Sequence, residues 1–247
     1  MPGVLALVGG DEFHPGNEPH DVRLRDAAAG RPAYVLATAA NDNPEAAVAT
    51  AKGWFATLGM PIEELRARTR TEAESDPAAA AAAGAGLVYI AGGNPGHVLE
   101  VLRESRVWAA MAQSWRNGMA LAGSSAGAMA LCQWGLIRAG WPNRTRRRSS
   151  EGLGLLPGCA FLPHFDTFGQ RWIPSAHEVL GRETLLLGVD ERTAAFWEDG
   201  QWWALGAGAV TLVSGEARQV FRAPSPIGGL PTPGAPMGGR ELPVEPR

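Results

Sequence analysis

Met119-Ala120-Leu121-Ala122-Gly123-Ser124-Ser125-Ala126-Gly127-Ala128-Met129-Ala130-Leu131 reads as a short apolar strand, a turn of small residues and a helix. Met119–Ala122 is the strand, and Ala126–Trp134, rich in Ala, Leu and Met, favours helix by propensity. Between them Gly123-Ser124-Ser125-Ala126-Gly127 fits G-x-S-x-G, the pattern of a strand that turns sharply into a helix. Such a turn strains the backbone of its central residue and leaves no room for Cβ atoms on its flanks. It would hold the Ser125 hydroxyl at the amino end of the helix, with the Ala126 N–H aimed at an oxyanion formed on an attacked carbonyl. A tightly packed turn without chemistry is the plainer alternative.

On either side, short apolar runs alternate with helical stretches. Val4–Val8, Tyr34–Thr38 and Leu87–Ala91 are strand candidates. Asn41-Asp42-Asn43-Pro44 is a turn that starts a helix over Glu45–Leu58, stopped by Gly59. Ala78–Ala83, His97–Leu102 and Val107–Arg116 are helix candidates, and Ile62–Arg68 is ambiguous between strand and helix. Short buried runs separated by helices predict an α/β fold whose mostly parallel sheet is covered on both faces. The last third differs. Leu185–Val189, Thr193–Trp197, Trp202–Leu205, Val210–Val213 and Val220–Arg222 are closely spaced, with a hairpin signal at Glu198-Asp199-Gly200. They are expected to lie antiparallel along the carboxyl-terminal edge of that sheet. Residues 1–222 form one expected domain. Residues 223–247, rich in Pro and Gly, form an expected flexible tail, unless a neighbouring copy in a homo-oligomer holds it.

Composition narrows the function classes. With 45% hydrophobic and 19% charged residues in 247, the chain is globular, not intrinsically disordered. A net charge of −3 gives no global field for nucleic acid or an anionic membrane. Arg138, Arg144, Arg146, Arg147 and Arg148 cluster locally, as a solvated or substrate-side loop or, less consistently with the net charge, a nucleic-acid patch. Cys132 and Cys159 are too few for a disulfide framework or a four-cysteine zinc site. No apolar run approaches the roughly 18 residues of a membrane span. The first ten residues lack a basic leader region, so the expected location is the cytoplasm.

A serine nucleophile needs a base and an orienting acid. The order serine, acid, histidine of α/β-hydrolases would require His177 with Asp166, a spacing too short for the elements that separate such partners. The order serine, histidine, acid is better served. Phe161-Leu162-Pro163-His164 and Leu187-Gly188-Val189-Asp190-Glu191 each end an apolar run with the required groups, and strand ends converge on one edge of an α/β sheet. A strand-capping role for His164 and a solvated turn at Asp190 and Glu191 are the structural alternatives.

Taken together, Ala91-Gly92-Gly93-Asn94, Ala122-Gly123-Ser124-Ser125-Ala126-Gly127-Ala128, Leu162-Pro163-His164-Phe165 and Gly188-Val189-Asp190-Glu191-Arg192-Thr193-Ala194 resemble the aspartyl dipeptidase and cyanophycinase group of serine peptidases, in order and in spacing. The resemblance runs from about Val4 to Val213. It implies a flavodoxin-like three-layer sandwich, similar to that of class I glutamine amidotransferases. It also implies a Ser125–His164–Glu191 triad, with Asp190 as the neighbouring alternative acid, and an oxyanion hole at Gly93 and Ala126 with Asn94 alongside. Gly92-Gly93-Asn94 is similar to the dipeptidase pattern. His97 stands where the group usually has Gln, and either reaches the site or faces solvent. Of the arginines expected after the His-Phe pair, Phe168 replaces one and Arg171 remains, which suits a terminal carboxylate of the substrate. The resemblance implies a small peptide substrate cut by acyl transfer, with no metal or organic cofactor. Carboxypeptidase-like or isopeptidase action, an esterase or amidase of the same fold, and a non-catalytic binding domain are the alternatives.

Overall fold

The computed structural model describes residues 1–138 and 146–234. In chain order the elements are β1 (Leu5–Val8), α1 (Glu18–Ala28), β2 (Ala33–Leu36), α2 (Pro44–Thr57), β3 (Glu63–Glu64), α3 (Arg70–Ala73), α4 (Asp76–Gly84), β4 (Leu87–Ile90), α5 (Pro95–Leu102), α6 (Arg106–Arg116), β5 (Ala120–Ser124) and α7 (Ala126–Leu131). The second half holds β6 (Cys132–Arg138), β7 (Arg147–Glu151), β8 (Leu156–Leu162), a 3₁₀ turn (Gly169–Trp172), α8 (Ile173–Leu180), β9 (Leu185–Val189), β10 (Thr193–Glu198), β11 (Gln201–Gly206), β12 (Ala209–Ser214), β13 (Ala217–Arg222) and β14 (Ser225–Ile227).

The eight-stranded sheet runs β14-β11-β10-β1-β5-β4-β2-β3. Its half from β1 to β3 is parallel, and β10, β11 and β14 add antiparallel strands beyond β1. All four residues of β1 and of β4 are buried, the mark of parallel strands covered on both faces. Alternation divides them between two cores. Leu5 and Leu7 join Val88, Ile90 and Leu121 on one face, while Ala6 and Val8 join Leu87 and Tyr89 on the other. Leu24 of α1 and Val48, Ala51 and Phe55 of α2 cover the second face. Helices α4 to α7 contribute buried residues to the core on the first.

A mixed α/β fold with helices on both faces of the parallel sheet is what the sequence predicts, with one correction. The carboxyl-terminal strands do not all decorate one sheet. Strands β9, β12 and β13 join β6, β7 and β8 in a separate six-stranded sheet, β13-β12-β9-β8-β6-β7. Leu186, Leu187 and Phe161 of that sheet belong to the same core as Leu5 and Leu7. Helix α7 also stops earlier than its composition suggests. From Cys132 the chain pairs with β7 and β8, and the ladder outweighs local helix propensity.

The hairpin at Glu198-Asp199-Gly200 joins β10 and β11 through a two-residue turn, Asp199 and Gly200, both at positive φ (50° and 79°). That is type I′ chemistry. The segment after 222, expected as tail, continues the fold as far as it is described. Strand β14 pairs with β11, the Trp202 indole N–H donates to Pro231 O (2.9 Å), and Gly234 N–H donates to Leu155 O (2.9 Å). Pro and Gly suit this course because an edge strand leaves some N–H positions without ladder partners. Most of the basic segment between Arg138 and Arg148, and the end of the tail, lie outside the described residues. No helix among the described residues is long and apolar enough to cross a membrane.

Candidate active site

Strand β5 of the first sheet carries the chain into Ser125, whose backbone sits at φ 47°, ψ −107°. That conformation costs a non-glycine residue of order 1–3 kcal/mol. Its N–H donates to Val8 O at 2.9 Å, and its carbonyl starts α7 by accepting from Met129 N–H at 2.9 Å. The flanking glycines are sterically required. A Cβ on Gly123 would lie 2.6 Å from the Gly127 carbonyl carbon, and one on Gly127 would lie 2.3 Å from Ile90 O.

His164 follows β8 and Glu191 follows β9, so both come from the second sheet, and the relay they form reaches Ser125 at the end of β5 of the first. Ser125 Oγ is 3.1 Å from His164 Nε2, and His164 Nδ1 is 2.7 Å from Glu191 Oε1. A carboxylate only accepts, so Nδ1 carries the proton and Nε2 is left as the acceptor for the serine hydroxyl. Thr167 Oγ1 donates to His164 O (3.1 Å) and approaches Glu191 Oε1 (3.4 Å). Asp166 accepts from the Glu191 N–H at 3.0 Å.

Asp190 faces the other way. Its carboxylate accepts from Ala209 N–H of β12 at 2.9 Å, and burial, with Asp166 nearby, pushes its pKa above the usual carboxylate range. The chain leaves β9 after Val189 and turns through Glu191 and Arg192 before β10 begins at Thr193, and this turn separates the two adjacent carboxylates. His164, not His177, is the imidazole at Ser125.

The remaining sequence candidates differ in what they touch. Neither the Gly93 N–H nor the Ala126 N–H has a hydrogen-bond partner among the described residues. Asn94 differs. Its N–H donates to Ala39 O (2.8 Å), and its side chain caps α5 by accepting from Gly96 N–H (3.0 Å) and His97 N–H (3.3 Å). Asn94 therefore fixes the start of the helix and its N–H is not free for an oxyanion. His97 Nε2 lies 3.0 Å from Arg68 O, so the ring is tied to the loop before α3 and not to the relay. It lines an open cleft of about 430 Å³ with Asn94, Gly96, Glu100, Arg103 and Arg148, and no residue of the relay borders that cleft. Arg171 is exposed in the 3₁₀ turn, with no carboxylate partner among the described residues.

Several further residues shape the site through contacts that the sequence does not announce. Phe168 stacks on the His164 imidazole with centroids 4.7 Å apart and packs against Trp172, over which lies the Arg147 guanidinium at 3.8 Å. Gly10 lies so close to the imidazole that a Cβ there would stand 2.2 Å from Cε1. Glu12 accepts from Gly92 N–H and from the Ser124 hydroxyl, both at 2.7 Å. The Gly9-Gly10 turn is visible in the sequence, but what it packs against is not. Among the described residues, no cluster of three or more His, Cys, Asp or Glu is arranged to hold a metal ion.

A hydroxyl at a strand-to-helix elbow, relayed through imidazole to a carboxylate at the strand ends of an α/β fold, defines the class: proteins with a Ser-His-acid arrangement of the hydrolase kind. Comparison with known proteins narrows it. Residues 5–204 match the sequence profile of Peptidase family S51, and the chain belongs to that family. An uncharacterized peptidase of Bacillus subtilis (strain 168), YgaJ, is 29% identical over 150 residues. That match takes in 60% of this chain and 61% of the relative, so the chain spans about three fifths of its length. Among solved structures, a peptidase from an acI-B1 Actinobacterium superposes with TM-score 0.80 at 26% identity, covering 92% of this chain and 97% of that one. A putative peptidase E protein of Listeria monocytogenes EGD-e shares the fold, with TM-score 0.55 at 14% identity over 90% of this chain and 99% of the other.

Proposed function

We propose that this protein is a serine exopeptidase that hydrolyses short peptides through an acyl-enzyme on Ser125. The observation that carries the proposal is the unbroken relay, 3.1 Å from Ser125 Oγ to His164 Nε2 and 2.7 Å from His164 Nδ1 to Glu191 Oε1. Family membership supports action on peptide bonds.

In the first half-reaction Ser125 Oγ bonds to the scissile carbonyl carbon while its proton passes to His164 Nε2. Glu191 holds the ring in the productive tautomer and stabilises the imidazolium. The carbonyl oxygen becomes an oxyanion between the Gly93 and Ala126 N–H groups, each worth about 3–4 kcal/mol in comparable sites. Collapse breaks the C–N bond, and the imidazolium gives its proton to the departing amine. Water then repeats the sequence on the ester, releasing the acid and restoring Ser125.

Arg171, seven residues after His164 in the 3₁₀ turn and without a carboxylate partner among the described residues, supports recognition of a substrate carboxylate, either terminal or acidic side chain. The test is amine release from a dipeptide and tripeptide panel with free and blocked termini. Cleavage that requires one free terminus is expected. Equal cleavage of free and blocked peptides rules out exopeptidase action, and no cleavage of any peptide rules out the peptidase assignment.

A further inference from the structure

We infer that Glu12 is a positioning residue of this site. Its carboxylate bridges the glycine turn carrying the Gly93 N–H and the strand end carrying Ser125, and so fixes the spacing of the two oxyanion donors. The inference rests on the serine-hydrolase mechanism above.

Glu12 lies 80 residues from Gly92 and 112 from Ser124, yet each of its oxygens accepts a 2.7 Å hydrogen bond, one from each. Gly92 immediately precedes Gly93, and Ser124 immediately precedes Ser125. The three segments are in contact. A Cβ on Gly92 would stand 2.9 Å from Glu12 Oε1 and 3.3 Å from Ser125 Cβ. The same loop reaches the rest of the relay. Gly9 O accepts from His164 N–H at 2.7 Å, Gly10 O accepts from Arg192 N–H at 2.9 Å, and the Asp11 carboxylate pairs with the Arg192 guanidinium at 2.5 Å. The turn after β1 thus touches the segments of all three relay residues, and Glu12 is the side chain that reaches the nucleophile and oxyanion segments.

Residue type follows from the partners. Both are donors, and a carboxylate offers an acceptor to each. Glutamine can keep the bridge, its amide oxygen accepting from Gly92 N–H and its NH₂ donating to Ser124 Oγ. Aspartate is shorter by one carbon–carbon bond, about 1.5 Å, and cannot span both partners. Alanine spans neither. Glu12 touches no reacting atom. It acts through the placement of groups that do.

The readout is phosphonylation of Ser125 by a fluorophosphonate. Oγ bonds to phosphorus, fluoride leaves, the serine proton goes to His164, and the phosphonyl oxygen occupies the oxyanion position. Outright loss of one oxyanion donor costs about 10²–10³-fold, and a displaced donor retains part of that. Glu12→Ala and Glu12→Asp are expected to lower the maximal labelling rate about 10–100-fold. Their half-saturating concentration should stay nearly unchanged, and Glu12→Gln should stay near wild type. If Glu12→Ala does not fold, the comparison of Asp with Gln carries the test. A wild-type rate in Glu12→Asp, or a Glu12→Gln rate as low as that of Glu12→Asp, overturns the bridging role. Wild-type labelling at Ser125, absent in Ser125→Ala, keeps those failures separate from the mechanism. Failure of the wild type to label at Ser125 overturns the mechanism and the Glu12 inference together.

Discussion

Replacing Gly10 by alanine should disable the site with a modest cost in stability. An ideal Cβ at Gly10 falls 2.2 Å from His164 Cε1, 2.6 Å from Nε2 and 2.7 Å from Nδ1. Carbon–carbon contact is comfortable only near 3.5 Å, so the ring must retreat by about 1 Å. Phe168 covers a face of the ring, and Glu191 holds Nδ1 at 2.7 Å. The movement therefore lengthens the 3.1 Å contact from Ser125 Oγ to Nε2 to about 4 Å, beyond hydrogen-bond range. A misplacement of about 1 Å in such a site costs about 10²-fold. Gly10 also sits at φ +126°, where alanine is strained. The strain is of order 1–3 kcal/mol, a fall in melting temperature of about 2–12 °C at roughly 2–4 °C per kcal/mol. Gly30→Ala is the control, since Gly30 is at φ +72° with nothing within 4 Å of its Cβ position. It should lose a little stability and no activity. The assay is kcat/KM on the best peptide of the panel, with thermal melting alongside. Gly10→Ala within threefold of wild type, or Gly30→Ala as inactive as Gly10→Ala, would refute the argument.

Glu191→Gln should lower kcat at least tenfold more than Asp190→Asn, because Glu191 faces the imidazole and Asp190 faces β12; steady-state kinetics on the two variants decide it, and the reverse order moves the acid to Asp190. A second outcome concerns pH and stability. Burial raises the Asp21 pKa to about 8 and lowers that of His20 to about 3, with the two side chains 3.7 Å apart in the core. Below about pH 6.5 the unfolded chain binds a proton on His20 that the folded chain does not, so that group alone makes stability rise with pH. Asp21 acts oppositely, since between its ordinary pKa and about 8 the folded chain holds the extra proton and stability falls as pH rises. From pH 6.5 to 8 only the Asp21 slope remains of this pair, at most about 1.4 kcal/mol per pH unit. Melting temperature should therefore fall on the order of 5 °C over that window. Asp21→Asn, which can still accept from the Trp54 indole N–H, should flatten the decline. An unchanged slope would show that Asp21 is ionised in the folded core.

Much of the first sheet is legible in the sequence because its parallel strands are buried on both faces. Leu5–Val8, Leu87–Ile90 and the run into Ser124 stand out as continuous apolar segments for that reason. The elbow and the Asp199-Gly200 turn are equally local, since backbone geometry restricts residue choice there. Partition of the later strands between two sheets is not local. It depends on pairings such as Val210 with Val189, which periodicity within one strand does not encode. Helix α1 escapes notice because its buried face includes His20 and Asp21, polar residues that read as surface. At the site, the strand-end positions of Ser125, His164 and Glu191 can be read from the chain, but which of two adjacent carboxylates turns inward cannot. The β12 N–H that claims Asp190 belongs to Ala209, 19 residues away. Asn94 illustrates the same limit, since its motif says oxyanion turn and its hydrogen bonds say helix cap. Glu12 has no motif at all, and the contacts of Phe168, Gly10 and Glu12 exist only once distant segments have met.

The most direct measurement is rapid quenching of the wild-type protein with an activated ester of a short peptide, followed by peptide mapping by mass spectrometry. An acyl group should accumulate within the first turnover on the peptide containing Ser125, and none should form on Ser125→Ala. Acylation at another residue, or peptide hydrolysis that persists at the wild-type rate in Ser125→Ala, would contradict the proposed nucleophile.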